Sequence, residues 1–392
     1  KPLTDGRFIW ASERTGFMHL YLYSPEGELI RPLTQGPWMV DSLVGVDIKR
    51  NLVYFMGTRD SILERHLYSV SLTGGQAERM TRERGFHNIC MDHAVKRFVD
   101  LFDAFEHSPR ITIHSMDKDE VQQNLYSQEI PDFLSRSLRP PEYVEIDSPD
   151  GVRLFGMMYC PPDAYGSGPH PTIVSVYGGP HVQQVNQTWA ATVDMRAQYL
   201  SQQGYVVFKL DNRGSSRRGL KFEGAIKHNM GNLEVKDQVT GVQWLVEQGI
   251  ADPSRVGIYG WSYGGYMALM CLAQAPEIFR VGVAGAPVTH WDGYDTHYTE
   301  RYMGTPQNNE QGYIRSSVMH YVPHIQGKLL LIHGLIDENV HFRHTARLIN
   351  ALIRQAKSYD LLLFPDERHM PRRLEDRVYL ESQISAYFLA HL

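Results

Sequence analysis

A long-range repeat occupies the first third of the chain and limits what that part can become. Phe8-Ile9-Trp10, Val53-Tyr54-Phe55 and Phe98-Val99-Asp100 recur every 45 residues. A second series follows at HLYLYS (19–24), HLYSVS (66–71) and RITIHS (110–115). A third follows the first two, at RPLTQG (31–36) and ERMTRERG (78–85). The runs are short, aromatic or β-branched, and bounded by Gly, Pro, Asp or Ser, the pattern of strands between tight turns. In HLYLYS the alternation sends Leu20 and Leu22 to one face and Tyr21 and Tyr23 to the other. A four-stranded unit of ~40–50 residues has the size of one β-propeller blade. Residues 1–130 are therefore expected to be propeller blades. Three blades cannot close a ring that needs roughly four to eight, so earlier blades are expected before Lys1, and the chain reads as the C-terminal portion of a longer protein. The alternative is a three-unit β-sandwich with an accidental period.

From about residue 140 strands alternate with helices. EYVEIDSPDGVRLFGMMYC (142–160) reads as a hairpin turning at Ser148-Pro149-Asp150-Gly151. Buried-strand runs follow at 171–179, 205–214, 255–260, 280–287, 328–334 and 359–365. Between them, residues 190–203, 234–249, 263–276, 345–356 and about 375–391 have helical spacing, with stops at Gly204, Gly249 and Pro276. This alternation predicts an α/β domain with a mostly parallel sheet and helices on both faces. The aperiodic stretch 127–141, with Pro131, Pro140 and Pro141, is expected to be the linker. The second domain then runs over residues 131–392.

Composition removes several classes of function. Lys+Arg number 39 against 44 Asp+Glu, a net charge of -5, so the basic excess of a nucleic-acid binder is missing. No run of ~18 apolar residues spans a membrane, and KPLTDGRFIW at the start has no signal-peptide core. Cys90, Cys160 and Cys271 are too few for a disulfide framework and too far apart for a zinc site. They lean toward a reducing compartment. The histidines lack H-E-x-x-H or similar spacing, so no metal or organic cofactor is implied.

Gly260-Trp261-Ser262-Tyr263-Gly264 matches G-x-S-x-G, with an apolar strand before it and a helix after it. A sharp strand-to-helix turn lifts the Ser262 hydroxyl above the sheet edge, and the Tyr263 N–H then faces the oxyanion formed on attack. In hydrolases of this shape the partners follow in the order Ser, Asp, His. Asp337 lies just past the strand KLLLIHG and is the expected acid, with Asp366 as its rival. His369, in the loop after the last strand, is the expected base. His341 and His344 are too close to Asp337 in sequence, His333 is expected to be structural, and His290 and His297 lack the placement. His369 must be neutral to accept the serine proton, so acylation is expected to fail on the acid side. Tyr177, in Val176-Tyr177-Gly178-Gly179-Pro180, ends the first strand of the set, where its hydroxyl is placed to be a second oxyanion donor.

Together, GWSYGGY (260–266), VYGGP (176–180) and DNRGS (211–215) behind propeller-like repeats resemble the prolyl oligopeptidase family of serine peptidases. Trp291, Tyr294 and YTERYMG (298–304) resemble its dipeptidyl peptidase IV subfamily. HGLIDENVHF (333–342) and PDERHMPR (365–372) resemble most the dipeptidyl peptidase 8 and 9 branch and its bacterial relatives. The resemblance implies an α/β-hydrolase fold preceded by the last blades of a β-propeller. It implies an exopeptidase that releases X-Pro or X-Ala dipeptides from free N-termini through an acyl-enzyme on Ser262. Ser262, Asp337 and His369 would be the triad, and Tyr177 and Tyr263 would sit at the oxyanion. Val288, Trp291, Tyr294, Tyr298 and Val340 would wall a pocket for the proline, a flat apolar ring suited to stacked aromatics. Asn339 would bind the carbonyl of the preceding residue. Arg213 is expected to brace a loop by a salt bridge.

In that subfamily paired glutamates and a partner arginine in early blades hold the substrate amino group. Residues 1–130 show no matching motif, and Glu78-Arg79 and Glu83-Arg84 read as ordinary loop charges. The resemblance also implies a homodimer using the C-terminal helix. The expected location is cytoplasmic, with periplasmic or secreted as the alternative. Other readings are an acylaminoacyl- or prolyl endopeptidase-like hydrolase, a non-catalytic protein on the same scaffold, and a general esterase.

Overall fold

The computed structural model of the protein describes residues 1–116, 121–132 and 137–392. The chain divides into two compact units. The first comprises Lys1–Pro140 with Asn186–Asp194 and Ser216–Glu223, and the second Pro141–Val185, Met195–Ser215 and Gly224–Leu392. Within the expected linker, residues 133–136 lie outside the described residues.

Among its described residues the first unit holds three antiparallel sheets. The first holds β1 (Phe8–Ser12), β2 (His19–Tyr23) and β3 (Leu29–Pro32). The second holds β4 (Val40–Asp47), β5 (Leu52–Gly57), β6 (His66–Ser71) and β7 (Glu78–Arg79). The third holds β8 (Phe86–Met91), β9 (Arg97–Ala104), β10 (His107–Ser115) and β11 (Val121–Ser127). Leu20 and Leu22 of the first sheet share a core with Val53, Phe55, Tyr68 and Val70 of the second. The opposite face of the second sheet, with Tyr54, Met56 and Leu67, packs on Phe98 of the third. The sheets are thus stacked face to face in sequence order, as blades are.

The sequence period has a chemical counterpart. His19 donates Nε2–H to the Gly36 carbonyl at 3.0 Å and accepts the Thr34 hydroxyl at Nδ1 at 3.0 Å. His66 repeats this with Thr81 at 3.0 Å and the Glu64 carboxylate at 2.7 Å. Each threonine oxygen also accepts the next backbone N–H, of Leu20 or Leu67. A buried histidine in each of these two sheets therefore satisfies polar groups that the strand ladder leaves over.

The second unit is built on one eight-stranded sheet. Its strands are β12 (Glu142–Asp147), β13 (Arg153–Tyr159), β14 (His170–Val176), β15 (Val206–Asp211), β16 (Ala251–Trp261), β17 (Val281–Gly285), β18 (Lys328–Gly334) and β19 (Asp360–Phe364). The order is β12-β13-β15-β14-β16-β17-β18-β19. β12 and β13 form the expected hairpin, and β13 pairs antiparallel with β15. All later pairs are parallel.

Six helices matter for the site: α1 (Met195–Gln202), α2 (Leu233–Glu247), α3 (Tyr263–Gln274), α4 (Thr296–Met303), α5 (Arg343–Arg354) and α6 (Leu374–His391). Leu200 of α1 and Leu380, Ile384 and Phe388 of α6 share a core with Ile173, Val207, Val283 and Ile332. Phe208, the next residue along β15, points to the opposite face, where it meets Gly241 of α2. Helices therefore cover both faces, as expected of a buried parallel sheet.

One expected helix is different. The run 190–203 is two helices, Trp189–Thr192 and α1, with a break at Val193-Asp194. The first is held in the first unit, where Trp189 N–H donates to Asp103 at 2.6 Å and the Thr192 hydroxyl donates to the Phe105 carbonyl at 2.8 Å. Tertiary hydrogen bonds outweigh a continuous helical pattern there.

Candidate active site

The parallel register brings the functional segments to one edge of the sheet. Val176 pairs with Gly260, Trp261 with Gly285, and Gly334 with Phe364. The residues that follow these strand ends, from Tyr177 and Ser262 to Asp337 and His369, all leave from the C-terminal edge. That edge is where ligands bind in open parallel sheets.

Ser262 joins β16 to α3 with φ 60° and ψ −117°, a left-handed backbone that a serine adopts only under constraint. Close packing supplies the constraint. A Cβ on Gly264 would lie 2.3 Å from the Val176 carbonyl, and one on Gly265 2.4 Å from the Gly285 carbonyl. The Ser262 N–H donates to Gly285 at 2.8 Å. The turn is thus wedged, backbone to backbone, between β14 and β17. Tyr263 is the first residue of α3, so its N–H lies at the positive end of the helix.

Asp337 is buried and fully engaged. Its Oδ1 accepts the N–H groups of Asn339 and Val340, both at 2.9 Å. Its Oδ2 accepts His369 Nδ1–H at 2.7 Å and lies 3.3 Å from His333 Nε2. Burial pushes the carboxyl up, but the hydrogen bonds from His333, His369 and Val340 outweigh it and hold it well below the usual carboxylate range. The rival Asp366 points outward, 3.9 Å from Arg373.

His369 is anchored at its backbone as well. Trp261, the residue before Ser262, donates its indole N–H to the His369 carbonyl at 2.8 Å. The structure thus brings Asp337 and His369 together and ties the histidine loop to the serine turn. It does not close the last link: among the described residues the Ser262 hydroxyl has no hydrogen-bond partner. Such bonds are often long without substrate and tighten when it binds.

Tyr177 stands just past β14. Its N–H donates to Gln184 Oε1 at 2.8 Å, and Asp211 in turn accepts the N–H groups of Gln184 at 2.8 Å and Val185 at 3.0 Å. Among the described residues its phenol has no partner. Burial raises the phenol pKa, which keeps the proton available for donation.

The aromatic residues form one group. Buried Trp291 stacks on Tyr298 at 6.1 Å and meets Tyr294 edge-on at 5.9 Å and Tyr263 at 5.6 Å. Tyr294 and Tyr298 are perpendicular at 5.4 Å, and Tyr177 lies 5.9 Å from Tyr263. Asp295 caps α4 by accepting the Tyr298 N–H, which fixes that ring's starting point. The Tyr294 hydroxyl donates to Asn339 Oδ1 at 2.9 Å. That bond orients the amide and leaves its NH2 free to donate elsewhere. Val288 and Val340 are buried on the loops after β17 and β18. Arg213 is clamped by Asp237, with Nη2 at 2.6 Å, and by Asp150.

Several residues support the site in ways the sequence does not show. His333 accepts the Thr345 hydroxyl at 2.7 Å and donates to the Val340 carbonyl at 2.7 Å, so it holds the Asp337 loop. His344 accepts the Thr289 N–H at 3.2 Å and lies 3.1 Å from the Gly293 carbonyl, which braces the loop carrying Trp291. Gln184 and Asp211 brace Tyr177. His333 and Asp211 fall within HGLIDENVHF and DNRGS, and His344 and Gln184 in no motif, but nothing local shows what any of the four holds, because their partners are brought near only by the fold. The pattern could at most have flagged Asp211, at the end of a buried strand.

A serine in a strained strand-to-helix turn, over a mostly parallel sheet flanked on both faces by helices, defines an α/β-hydrolase domain. The three stacked antiparallel sheets are β-propeller blades. The prolyl oligopeptidase family model matches residues 191–392, and the dipeptidyl peptidase IV N-terminal region matches residues 2–109. The chain belongs to the prolyl oligopeptidase family. It is 41% identical to human dipeptidyl peptidase 8, across 98% of this chain and 47% of that protein. The mouse dipeptidyl peptidase 8 gives the same identity and coverage. The crystal structure of Porphyromonas gingivalis dipeptidyl peptidase 4 superposes with a TM-score of 0.95 at 28% identity, across 100% of this chain and 55% of that one. The chain thus spans about half the length of the curated relatives it matches. No helix among the described residues is long and apolar enough to cross a membrane.

Proposed function

We propose that the protein is a serine exopeptidase that releases N-terminal X-Pro or X-Ala dipeptides from peptides. The observation that carries this reading is the aromatic group of Trp291, Tyr294 and Tyr298, joined through the Tyr294–Asn339 hydrogen bond to the Asp337 loop. A pyrrolidine packed against such rings buries apolar surface without stranding polar groups. The Asn339 NH2 then donates to the carbonyl one residue upstream. The named relatives are dipeptidyl peptidases, which supports the same substrate class.

In this reading Ser262 Oγ attacks the carbonyl after proline while His369 Nε2 takes its proton. Asp337 stabilises the imidazolium through Nδ1–H. The oxyanion is met by the Tyr263 N–H and the Tyr177 hydroxyl, and loss of one such donor costs about 3–4 kcal/mol of transition-state stabilisation. His369 next gives the proton to the departing amine, and water attacks the acyl-enzyme by the reverse sequence. Residues 1–130 supply propeller blades and residues 131–392 the catalytic domain.

Gly-Pro and Ala-Ala p-nitroanilides test the proposal, with Ser262→Ala as control. Turnover that survives Ser262→Ala would sink the mechanism. A preference for N-blocked peptides would favour an acylaminoacyl- or prolyl endopeptidase-like enzyme. Failure of a fluorophosphonate to label Ser262 would favour a non-catalytic protein.

A homodimer through α6 is part of the same proposal. The helix leaves Leu374, Val378 and Tyr379 exposed, apolar side chains open to a partner surface. Sedimentation of a Val378→Glu variant tests it, and an unchanged mass would count against it. A cytoplasmic location agrees with three cysteines that form no disulfide.

A further inference from the structure

The strained turn at Ser262 has to be held on both sides. On the strand side the Ser262 N–H bonds Gly285. On the helix side the fixing contact is a side chain that the mechanism above does not use. Tyr263 donates its phenol proton to Glu234 Oε1 at 2.8 Å, and the same oxygen accepts the Gly231 N–H at 2.8 Å. Glu234 is 0% exposed, and among the described residues its Oε2 has no hydrogen-bond partner.

We propose that Glu234 is a positioning residue for the oxyanion amide. By holding the Tyr263 phenol, it fixes the Tyr263 peptide, whose N–H must point at the developing negative charge. This rests on the serine-hydrolase reading of Ser262 and goes beyond it.

Three observations support the assignment. First, α3 is pinned to the turn before α2 along one face. The Tyr266 phenol proton is shared between the Met230 carbonyl at 3.0 Å and the Ser316 carbonyl at 2.8 Å, and Gln274 donates to the Gly231 carbonyl at 2.9 Å. Of these anchors, the one from Tyr263 lies next to the nucleophile. Second, Glu234 has no ion-pair partner among the described residues. A buried carboxyl without a cation and with one bare oxygen is a poor stabilising device. Its position in the first turn of α2 offsets that cost only in part. Third, burial pushes its pKa up to about 7, with Asp237 adding to the rise and Gly231 and Tyr263 opposing it. Tyr266, Tyr298 and Cys271 feel the same charge. Buried groups perturbed this far cluster at functional sites.

The test compares Glu234→Ala, Glu234→Gln and Tyr263→Phe in the full chain. The readouts are kcat and KM for Gly-Pro-p-nitroanilide and inhibition by a dipeptide boronate, whose tetrahedral adduct on Ser262 needs the oxyanion donors. A misplacement of about 1 Å costs on the order of 10²-fold. Glu234→Ala is expected to lower kcat by about that factor with KM little changed, and to weaken the boronate in parallel. Glu234→Gln keeps an acceptor for both donors and is expected to recover most of the loss. Tyr263→Phe carries the same test if Glu234→Ala does not fold.

A folded, fluorophosphonate-labelled Glu234→Ala enzyme with parental kcat would overturn the assignment. So would a loss that appears wholly in KM, or one that Glu234→Gln does not relieve. Failure of the parent enzyme to label at Ser262 strikes the serine reading instead, so the two failures are distinguishable.

Discussion

Asp337→Asn isolates the acid from everything else in the site. The side chain keeps its shape, and two backbone donors dictate which way it faces. Asn339 and Val340 present N–H groups to Oδ1 at 2.9 Å, so the amide oxygen takes that place. The NH2 then stands where Oδ2 was, 2.7 Å from His369 Nδ1 and 3.3 Å from His333 Nε2. Donor faces donor. His369 resolves the clash by moving its proton to Nε2, where the ring can no longer accept the serine proton. In other serine hydrolases an inverted tautomer of this kind costs about 10⁴ in kcat. That corresponds to about 5–6 kcal/mol of barrier. The fold loses less, about 1–3 kcal/mol for charge-assisted bonds exchanged for poorer ones. The assay is the fluorophosphonate labelling rate of Ser262 together with kcat on Gly-Pro-p-nitroanilide, with the thermal midpoint as a check on folding. A folded variant within about tenfold of the parent in kcat would show that His369 does not depend on Asp337 for its tautomer.

Gly264→Ala is expected to destabilise the second unit by about 1–3 kcal/mol and to abolish activity, since the new Cβ meets the Val176 carbonyl at 2.3 Å and a backbone in a central strand cannot retreat. Urea midpoints check this, and an unchanged midpoint would refute the close packing. Tyr294→Phe releases the Asn339 amide and is expected to raise KM several-fold, about 1 kcal/mol for one hydrogen bond, with little change in kcat; steady-state kinetics decide it. Burial lowers the pKa of His344 from 6.5 to about 4. The unfolded chain therefore takes up that proton first, and the stability this residue contributes is present above pH 6.5 and lost as pH falls toward about 4. A His344→Gln variant should show a shallower acid decline in its urea midpoint, and a decline of equal slope would refute the assignment.

Most of the strands were legible because each leaves a local trace. The β14, β17 and β18 runs and the 256–260 part of β16 are apolar, and the hairpin of β12 and β13 turns at the expected Ser148-Pro149-Asp150-Gly151; the polar start of β16, residues 251–255, carried no strand pattern. G-x-S-x-G was legible for the same reason: strand, turn and helix are contiguous. The break at Val193-Asp194 was not, because the apolar spacing runs through it and only Asp103, far away in sequence, decides it. Glu234 was invisible too. It lies in the polar first turn of a helix, where a glutamate is ordinary, and nothing local says that its partner is the residue after the serine. The place of His333 at a strand end marks it as structural. Its geometry adds that what it supports is the loop of Asp337.

The bond from the Trp261 indole to the His369 carbonyl crosses three strand pairings. The candidate base rides on the loop after β19, the edge strand of the sheet. Edges and terminal loops open at a lower free-energy cost than central strands. On warming, that loop should detach before the sheet melts, and the indole N–H should begin to exchange with solvent at the same temperature. Inactivation would then come in two stages, a reversible loss of activity followed by cooperative unfolding. Loss of function on warming would then be set by the few bonds that hold the His369 loop at the margin, from the Trp261 indole and Asp337 among them, and not by the strength of the core.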